Sequence, residues 1–326
     1  MRPRIGYALM VAAMLAAQVQ QARAQGVVNS VQSPLQIATL HWYGASVAAQ
    51  FPVGPYPRGI AFDGASIWVT NQTNNTVTKV RASDGATLGV YATGAAPAGI
   101  AFDGANVWIS NSADNSISKI QASTGTTLAT YFLFKSGASG PGGIAFDGTY
   151  IWVTNGNSNN VSRLRAIDGA CVTSCTFPIG TGTGPGGIAF DGTYIWTSNS
   201  NSTVTRLRAR DGACLIPSCT YATPSVPGGL AFDGTYLWIS GLNDVFKMRI
   251  TDGTILANYP VGAWEGGLVY DGANIWVNGG VTVTKIRASD GAILGSYSGN
   301  TTSGGAAFDG AFVWMTNFNA GTLMKF

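Results

Sequence analysis

The sequence predicts an all-β fold, a seven-bladed β-propeller built from four-stranded blades. One phrase, GIAFDG or a close variant, recurs seven times along the chain. It begins at Gly59, Gly99, Gly143, Gly187, Gly229, Gly267 and Gly305, and a tryptophan follows at the same distance after each of these glycines. The glycines are nearly evenly spaced, and repeats of about 40–45 residues that carry regular turn signals are typical of propeller blades.

Each repeat contains the signals for four strands, and the first repeat shows them in order. The apolar run Gly59–Phe62 ends at an Asp-Gly pair, the strongest short-range signal for a hairpin. The next run, Ile67–Asn71, is rich in the β-branched and aromatic residues that strands favour. A polar loop leads to a third strand at Thr76–Arg81, and a second Asp-Gly pair at Asp84 precedes a fourth strand that ends near Tyr91.

The ring is predicted to close through the N-terminal part of the chain. The last repeat begins at Gly305 and ends with the chain at Phe326, so it is about half as long as the others and lacks its outer strand. The segment Leu40–Arg58 has the missing length, and Phe51 precedes the first repeat at the same distance as Tyr91 precedes the second. We therefore expect residues 40–326 to form one propeller whose last blade is completed by this segment, which leaves no open sheet edge at the chain ends.

The N-terminal segment, residues 1–24, has the pattern of a secretory signal peptide. Arg2 and Arg4 precede the apolar run Ile5–Ala17, and Ala22 and Ala24 form an A-x-A cleavage site. Cleavage after Ala24 predicts a secreted or periplasmic protein with an N-terminal linker over residues 25–39. Equal numbers of basic and acidic residues would then remain, a balance that gives no bulk attraction to nucleic acid or an anionic membrane. No apolar run outside this segment is long enough to predict a membrane span.

The repeat accounts for most of the charged residues, which make up only 10% of the chain. Twelve aspartates occupy the two turn positions, where an aspartate hydrogen-bonds its own turn. Seven basic residues share one position of the third strand and are expected to pack their stems and pair with neighbouring turns. They are Lys79, Lys119, Arg163, Arg206, Lys247, Lys285 and Lys325. A nucleic-acid interface needs lysines and arginines gathered on one face of the protein with few acidic residues nearby. The repeat spreads these residues around the ring, so we expect no nucleic-acid partner.

The four cysteines form two pairs in equivalent loops. Cys171 and Cys175 follow the second turn of the third repeat, and Cys214 and Cys219 follow that of the fourth. In an exported protein this spacing predicts two disulfides, each within its own loop. The alternative, a zinc site, requires four thiolates that converge on one point, and the two pairs are poorly spaced for it.

The residues left over after the repeat is accounted for lie together on one face. In a propeller the loops between strands two and three and the loops between blades open on one side, which we call the varied face. The two Asp-Gly turns open on the other side, the turn face. The candidate ligand-binding residues, all on the varied face, are Arg58, Asp114, Lys135, Asp244, Trp264, Glu265 and Phe318. Loop amides such as Asn71 and Asn155 either bind ligand there or satisfy the turns.

The phrase Ile151–Asn155, with the later run Arg165–Gly169, resembles the YVTN and NHL propeller repeats. Within these, the chain is most similar to the exported proteins related to streptogramin (virginiamycin B) lyase, over about Leu40–Phe326. The resemblance implies a seven-bladed propeller. It also implies the opening of a cyclic peptide lactone by elimination, with a histidine base and a magnesium ion held with acidic help at the central face. The only histidine, His41, lies outside every repeat, so no base position carries over.

The favoured functional hypothesis is an exported, non-catalytic binding module that is monomeric and holds no cofactor. Its partner is a protein or a carbohydrate, because an asparagine-, serine- and threonine-rich face with a few aromatic residues suits polar neutral ligands. The alternative is a lyase or lactonase with a divalent ion, Mg²⁺ or Ca²⁺, near Asp114, Asp244 and Glu265. A structural surface or matrix protein is the third possibility.

Overall fold

The structure is a computed structural model that describes residues 49–133, 137–171, 175–179, 184–214, 219–262, 266–298 and 304–326. In these ranges the chain forms seven separate four-stranded antiparallel sheets and no helix. The innermost strand of each blade packs beside those of its two neighbours, and the last packs beside the first. The predicted seven-bladed propeller is therefore confirmed. The predicted signal peptide, the linker and His41 lie outside the described residues.

The strands follow the predicted order from the centre of each blade outwards. The seven blades are β2 (Pro57–Phe62), β3 (Ser66–Asn71), β4 (Thr76–Arg81) and β5 (Thr87–Ala92); β6 (Pro97–Phe102), β7 (Asn106–Asn111), β8 (Ser116–Gln121) and β9 (Thr127–Phe132); β10 (Pro141–Phe146), β11 (Tyr150–Asn155), β12 (Asn160–Arg165) and β13 (Thr176–Pro178); β14 (Pro185–Phe190), β15 (Tyr194–Asn199), β16 (Thr203–Arg208) and β17 (Thr220–Ala222); β18 (Leu230–Phe232), β19 (Tyr236–Ser240), β20 (Asp244–Arg249) and β21 (Ile255–Pro260); β22 (Leu268–Tyr270), β23 (Asn274–Gly279), β24 (Thr282–Arg287) and β25 (Ile293–Ser298); and β26 (Ala306–Phe308), β27 (Val313–Asn317), β28 (Thr322–Lys325) and β1 (Ala49–Pro52).

The first Asp-Gly turn of every blade holds the repeat tryptophan. In blade 4, Asp191 Oδ1 accepts hydrogen bonds from the main-chain nitrogens of Thr193 at 2.8 Å and Tyr194 at 2.6 Å. The other oxygen, Oδ2, accepts the indole N–H of Trp196 at 2.7 Å. The same indole bond recurs in all seven blades. Each carboxylate therefore fixes a turn and a buried aromatic ring at once, so the tryptophans serve blade packing as predicted.

Six of the seven basic residues on the third strand, in the part of the chain that the structure describes, bond to the blade that follows. Lys79 Nζ lies 5.1 Å from the ring centre of Trp68 and donates to the carbonyl of Ala122 in blade 2 at 2.7 Å. Lys247 makes the equivalent bond to Ala288 at 2.7 Å. The predicted pairing with neighbouring turns is present, and its acceptors are main-chain carbonyls rather than carboxylates. Stacking on an aromatic ring adds a cation–π attraction to each bond.

A second row of arginines pairs with the second turn on the turn face. Arg165 and Asp168 form an exposed ion pair at 2.5 Å, and four other blades repeat this pair. The hydrogen bond from Arg165 lowers the pKa of Asp168 to about 2, with further help from the main-chain N–H of Ala170. The pKa of Asp211 is also lowered to about 2, chiefly by Arg208. Such exposed pairs contribute little to stability.

Glycines at the centre of the propeller allow the blades to approach closely. A Cβ on Gly229 would lie 2.5 Å from the carbonyl oxygen of Gly266, in the next blade. A Cβ on Gly305 would likewise lie 2.7 Å from the carbonyl oxygen of Arg58 in blade 1. The same arrangement occurs at all seven repeat glycines. These positions therefore need glycine because a neighbouring main chain occupies the side-chain space.

The ring closes as predicted, through the N-terminal strand. β1 pairs with β28 in an antiparallel register that sets Phe51 opposite Leu323. The Phe51 ring lies 5.6 Å from the ring centre of Trp314 and packs directly over Gly85 of blade 1. The equivalent aromatic residues Tyr91 and Phe177 pack on the second-turn glycines of the blades that follow them. Blade 7 thus packs on blade 1 as blades 1 to 5 pack on their successors, whereas Tyr297 of blade 6 packs on Phe326.

Both predicted disulfides are present. Cys171 is bonded to Cys175 and Cys214 to Cys219, with Cα–Cα distances of 5.1 and 5.2 Å. Their loops replace the first part of the outer strand, so β13 and β17 have three residues where most outer strands have six. No described helix is long and apolar enough to cross a membrane. The two disulfides are consistent with a secreted protein.

Candidate functional site

The candidate site is a cavity of about 600 Å³ at the mouth of the central channel, on the varied face. Residues at the start of the innermost segment of all seven blades line it, and most of them are glycines. Its volume lies within the range of small-molecule sites. We call it the channel mouth.

Arg58 is the one charged residue among the described residues that line the channel mouth. It occupies the position immediately before the repeat glycine. In the other blades this position holds Ala98, Gly142, Gly186, Gly228, Gly266 and Gly304. The Arg58 side chain is exposed, while the walls around it remove enough water to lower the pKa of its guanidinium from the ordinary value. An arginine remains charged at neutral pH despite such a shift.

Two aromatic rings stand beside this guanidinium. The Arg58 side chain lies over the Phe318 ring, 5.5 Å from its centre. Tyr56 packs against the other side of the cluster, with its ring centre 4.7 Å from that of Phe318. Phe318 also borders a second cavity of about 500 Å³, which Tyr56 lines. The structure thus brings two of the sequence candidates, Arg58 and Phe318, into one group.

Tyr56 was missed by the sequence reasoning, because its segment reads as an ordinary loop. It adopts a left-handed backbone conformation with φ of 53°, and its side chain is 45% exposed. The equivalent residues in blades 2, 3 and 4 are Ala96, Gly140 and Gly184, also at positive φ. A tyrosine there carries a backbone cost that glycine avoids, and such strain is concentrated at functional sites.

The two described acidic candidates lie in different blades, Asp114 in the loop between β7 and β8 and Asp244 at the first residue of β20. Asp114 Oδ2 accepts the main-chain N–H of Ala95 at 2.8 Å, and its Oδ1 accepts the hydroxyl of Ser116 at 2.7 Å. Asp244 Oδ2 accepts the side-chain amide of Asn258 at 2.9 Å. The structure therefore places Asp114 and Asp244 in blades 2 and 5, where both accept hydrogen bonds from the scaffold. Lys135, Trp264 and Glu265 lie outside the described residues.

A divalent ion does not fit the described part of the channel mouth. Its described lining contains glycines, serines, Arg58 and Phe318, with no carboxylate or imidazole. Magnesium and calcium require several oxygen ligands, most often from carboxylates. Among the residues that the structure describes, no three histidines, cysteines or acids come close enough together to hold a metal. We derive no reaction step through a metal.

The NH₂ groups of the loop amides are used by the fold. Asn111 is fully buried at the end of β7, and its Nδ2 donates to the hydroxyls of Ser116 at 3.0 Å and Ser118 at 2.9 Å. Asn71 makes the same pair of bonds to Thr76 and Thr78. Of the two interpretations left open by the sequence, the structural one therefore holds for these asparagines. Their side chains join strands two and three and face away from solvent.

Comparison with known proteins gives fold relatives only. No protein-family model matches the sequence, and no curated protein matches it. Among solved structures, a streptogramin B lyase matches with a TM-score of 0.69 and 21% identity, over 86% of this chain and 95% of the other. A virginiamycin B lyase from Staphylococcus aureus matches with a TM-score of 0.70 and 20% identity, over 85% and 97%. The hydrazine synthase of Kuenenia stuttgartiensis matches with 0.68 and 16%, over 83% and 95%.

These matches confirm the predicted likeness to streptogramin lyases at the level of the fold. The same fold also matches a protein named hydrazine synthase, so the propeller by itself does not determine the chemistry. The function has to be argued from the channel mouth.

Proposed function

We propose that this chain is an exported, non-catalytic β-propeller that binds a protein or glycan ligand at the channel mouth. The observation that carries the proposal is the group formed by Arg58, Phe318 and Tyr56 at the edge of a cavity of about 600 Å³. A charged guanidinium beside exposed aromatic surface is the composition that dominates binding sites. Export is proposed from the signal pattern of residues 1–24, and the two disulfides support it.

The departure from sevenfold symmetry supports this choice of site. Most charged residues repeat from blade to blade and have partners within the scaffold. Arg58 has no counterpart in any other blade, and its guanidinium lies over the Phe318 ring of blade 7 instead of bonding to a turn of the next blade as the repeated basic residues do. A residue that breaks the repeat without serving the fold is expected to serve function.

The test is ligand capture with matched arginine variants of the full chain. A glycan array and affinity capture from the exported fraction would be run with the wild type, Arg58→Ala and Phe318→Ala. Because hydrogen bonds to a charged group contribute about 1.5–3 kcal/mol, Arg58→Ala should weaken binding at least about tenfold. Arg249→Ala is the control, since Arg249 pairs with Asp252 on the turn face. Equal binding by wild type and Arg58→Ala would refute the proposed site.

The lyase or lactonase alternative is supported by the fold likeness to the two lyases. It predicts that the full chain binds Mg²⁺ or Ca²⁺ and opens a cyclic peptide lactone. Calorimetry with each ion and chromatography of a streptogramin B substrate would test both statements. Ion binding together with lactone opening would replace the binding-module proposal.

A further inference from the structure

The chemistry around Arg58 indicates the class of ligand, if the proposed site at the channel mouth is accepted. The other described arginines bond to a carboxylate or to a main-chain carbonyl, as Arg81 does to Asp84 and Arg163 to Ala209. Within the described ranges, no carboxylate lies within 4.0 Å of the Arg58 guanidinium. Its planar set of N–H donors is therefore available to a ligand that brings a carboxylate.

A single cation favours a ligand group with a single negative charge. The described lining of the channel mouth contains no lysine and no second arginine. A phosphate carries up to two charges and is usually bound by several donors and cations together. A carboxylate matches one guanidinium in both charge and geometry, because two parallel N–H groups meet its two oxygens.

The aromatic pair adds an apolar surface next to this charge, with the two rings tilted by 59° to each other. Tyr56 exposes 45% of its side chain while it rests against Phe318, and its hydroxyl gives the ring a polar tip. A sugar ring has one apolar C–H face and hydroxyl groups around its edge, so it can lie on such a surface. Exposed amides at the loop tips, among them Asn74, Asn157 and Asn201, provide hydrogen-bond partners for hydroxyls further out on the varied face.

The glycine walls leave room for the ligand. A Cβ on Gly186 would have Ser198 Oγ as its nearest neighbour, at 3.8 Å, and Gly186 has no positive φ that demands glycine. The neighbouring Gly187 differs, because its Cβ would overlap the carbonyl oxygen of Gly228. Gly187 is thus required by the fold, whereas Gly186 keeps the cavity wall flat. Glycine is favoured where a main chain has to approach a ligand.

We infer that the channel mouth binds an acidic glycan, with the carboxylate of a uronic-acid residue on Arg58 and a sugar ring on Tyr56 and Phe318. This assignment goes beyond the general binding role because it fixes the charge and the class of the ligand. An acidic peptide offers the same carboxylate but lacks the ring of hydroxyls that the polar loops suit.

Calorimetry of the full chain with oligogalacturonate tests this inference, and the methyl-esterified oligomer is the matched control. The ester keeps the sugar skeleton and removes the charge. Wild type is expected to bind the acid form at least about tenfold more tightly than the ester, because the ester cannot form the guanidinium–carboxylate pair. Added salt should weaken only the acid form. Arg58→Gln should abolish the preference, while Arg249→Gln should keep it.

Two further variants separate binding from folding. Tyr56→Gly should bind the oligomer about tenfold less tightly but unfold at the same or a higher temperature, because glycine relieves the left-handed conformation. Gly186→Ala should fold normally and bind less tightly, since its methyl group projects into the cavity. A destabilised Tyr56→Gly with unchanged binding would contradict the role given to this ring.

Other outcomes overturn the inference and leave the proposed function to its own test. Equal affinity for the acid and the ester would exclude carboxylate recognition. No binding of either oligomer would exclude an acidic glycan of this kind. Binding of a peptide through its free carboxyl terminus, lost on amidation and on Arg58→Gln, would assign the site to peptides instead.

Discussion

At the scale of single residues, the turn aspartates stabilise both their own turns and the buried tryptophans. Asp191 accepts three hydrogen bonds, one of them from the buried Trp196. In Asp103 partial desolvation raises the pKa, but the hydrogen bonds from Trp108, Ala105 and Asn106 outweigh it and the pKa is lowered. The charged carboxylate is therefore the form that the fold favours at neutral pH.

The substitution Asp191→Asn should destabilise the protein. The asparagine Oδ1 can still accept both main-chain N–H groups, but its NH₂ group would meet the indole N–H of Trp196. A buried donor left without an acceptor costs about 1–3 kcal/mol, so the free energy of unfolding should fall by about 2 kcal/mol. Asp211→Asn in the same blade removes only exposed ion pairs, with Arg208 and Arg210, and should cost less than about 1 kcal/mol. Denaturant unfolding of both variants measures the difference, and equal losses would contradict the role of the indole bond.

The sequence was sufficient to predict that these aspartates and tryptophans are structural, but it did not reveal their mutual bond. Spacing places Asp191 and Trp196 close together in sequence, across a turn. Whether the indole nitrogen points back to the carboxylate depends on side-chain rotation, which spacing does not specify. Tyr56 was missed for a related reason: its short segment reads as an ordinary loop until its backbone conformation is known.

At the scale of the blade, contacts at the channel depend on the absence of side chains. The hydroxyl of Thr154 donates to the carbonyl of Gly186 in the next blade at 2.8 Å, directly beside the repeat glycine Gly143. The sequence predicted that each blade starts at these glycines, but it did not show why glycine is required there. The group that excludes a side chain belongs to the neighbouring blade, a whole repeat away along the chain, so no local sequence pattern reveals it.

Gly187→Ala should be destabilising and Gly186→Ala tolerated. The first would force a methyl group into the carbonyl of Gly228, and the backbone has to shift to avoid it. Overpacking of this kind costs about 1–3 kcal/mol. The second meets only ordinary contacts. Thermal unfolding followed by circular dichroism compares the two, and similar melting temperatures would show that the blades can move apart at little cost.

At the scale of the whole molecule, one short N-terminal strand completes the last blade of the ring. β1 has four residues and supplies the outer edge of blade 7. The lengths of the repeats predicted this closing strand correctly, because the last repeat is too short by about one strand. Repeat lengths do not predict the shape of the channel mouth. It depends on how seven blades pack around one axis and on which innermost residues then face each other.

Phe51→Ala should loosen the closure. The ring packs on Trp314 and on Gly85, so it joins blade 7 to blade 1. Loss of a buried aromatic ring costs about 3–5 kcal/mol, and the partial exposure of Phe51 places the expected loss near the lower value. Val90→Ala is the control, since Val90 is 56% exposed on the outer strand of blade 1. Removal of residues up to Phe51 should lower the melting temperature further, and an unchanged melting temperature would refute this mode of closure.

Three kinds of contact between blades run in one direction around the ring: those of the third-strand basic residue, the second-strand hydroxyl and the outer aromatic residue. Lys79, Thr70 and Tyr91 of blade 1 reach into blade 2, and blade 7 reaches into blade 1 through Lys325 and Phe51. A head-to-tail joint of this kind has no built-in end. Duplication or loss of one complete unit would therefore leave every remaining unit with a compatible neighbour on each side. Gain or loss of whole blades could thus change the width of the channel mouth during evolution while these contacts between blades stay the same.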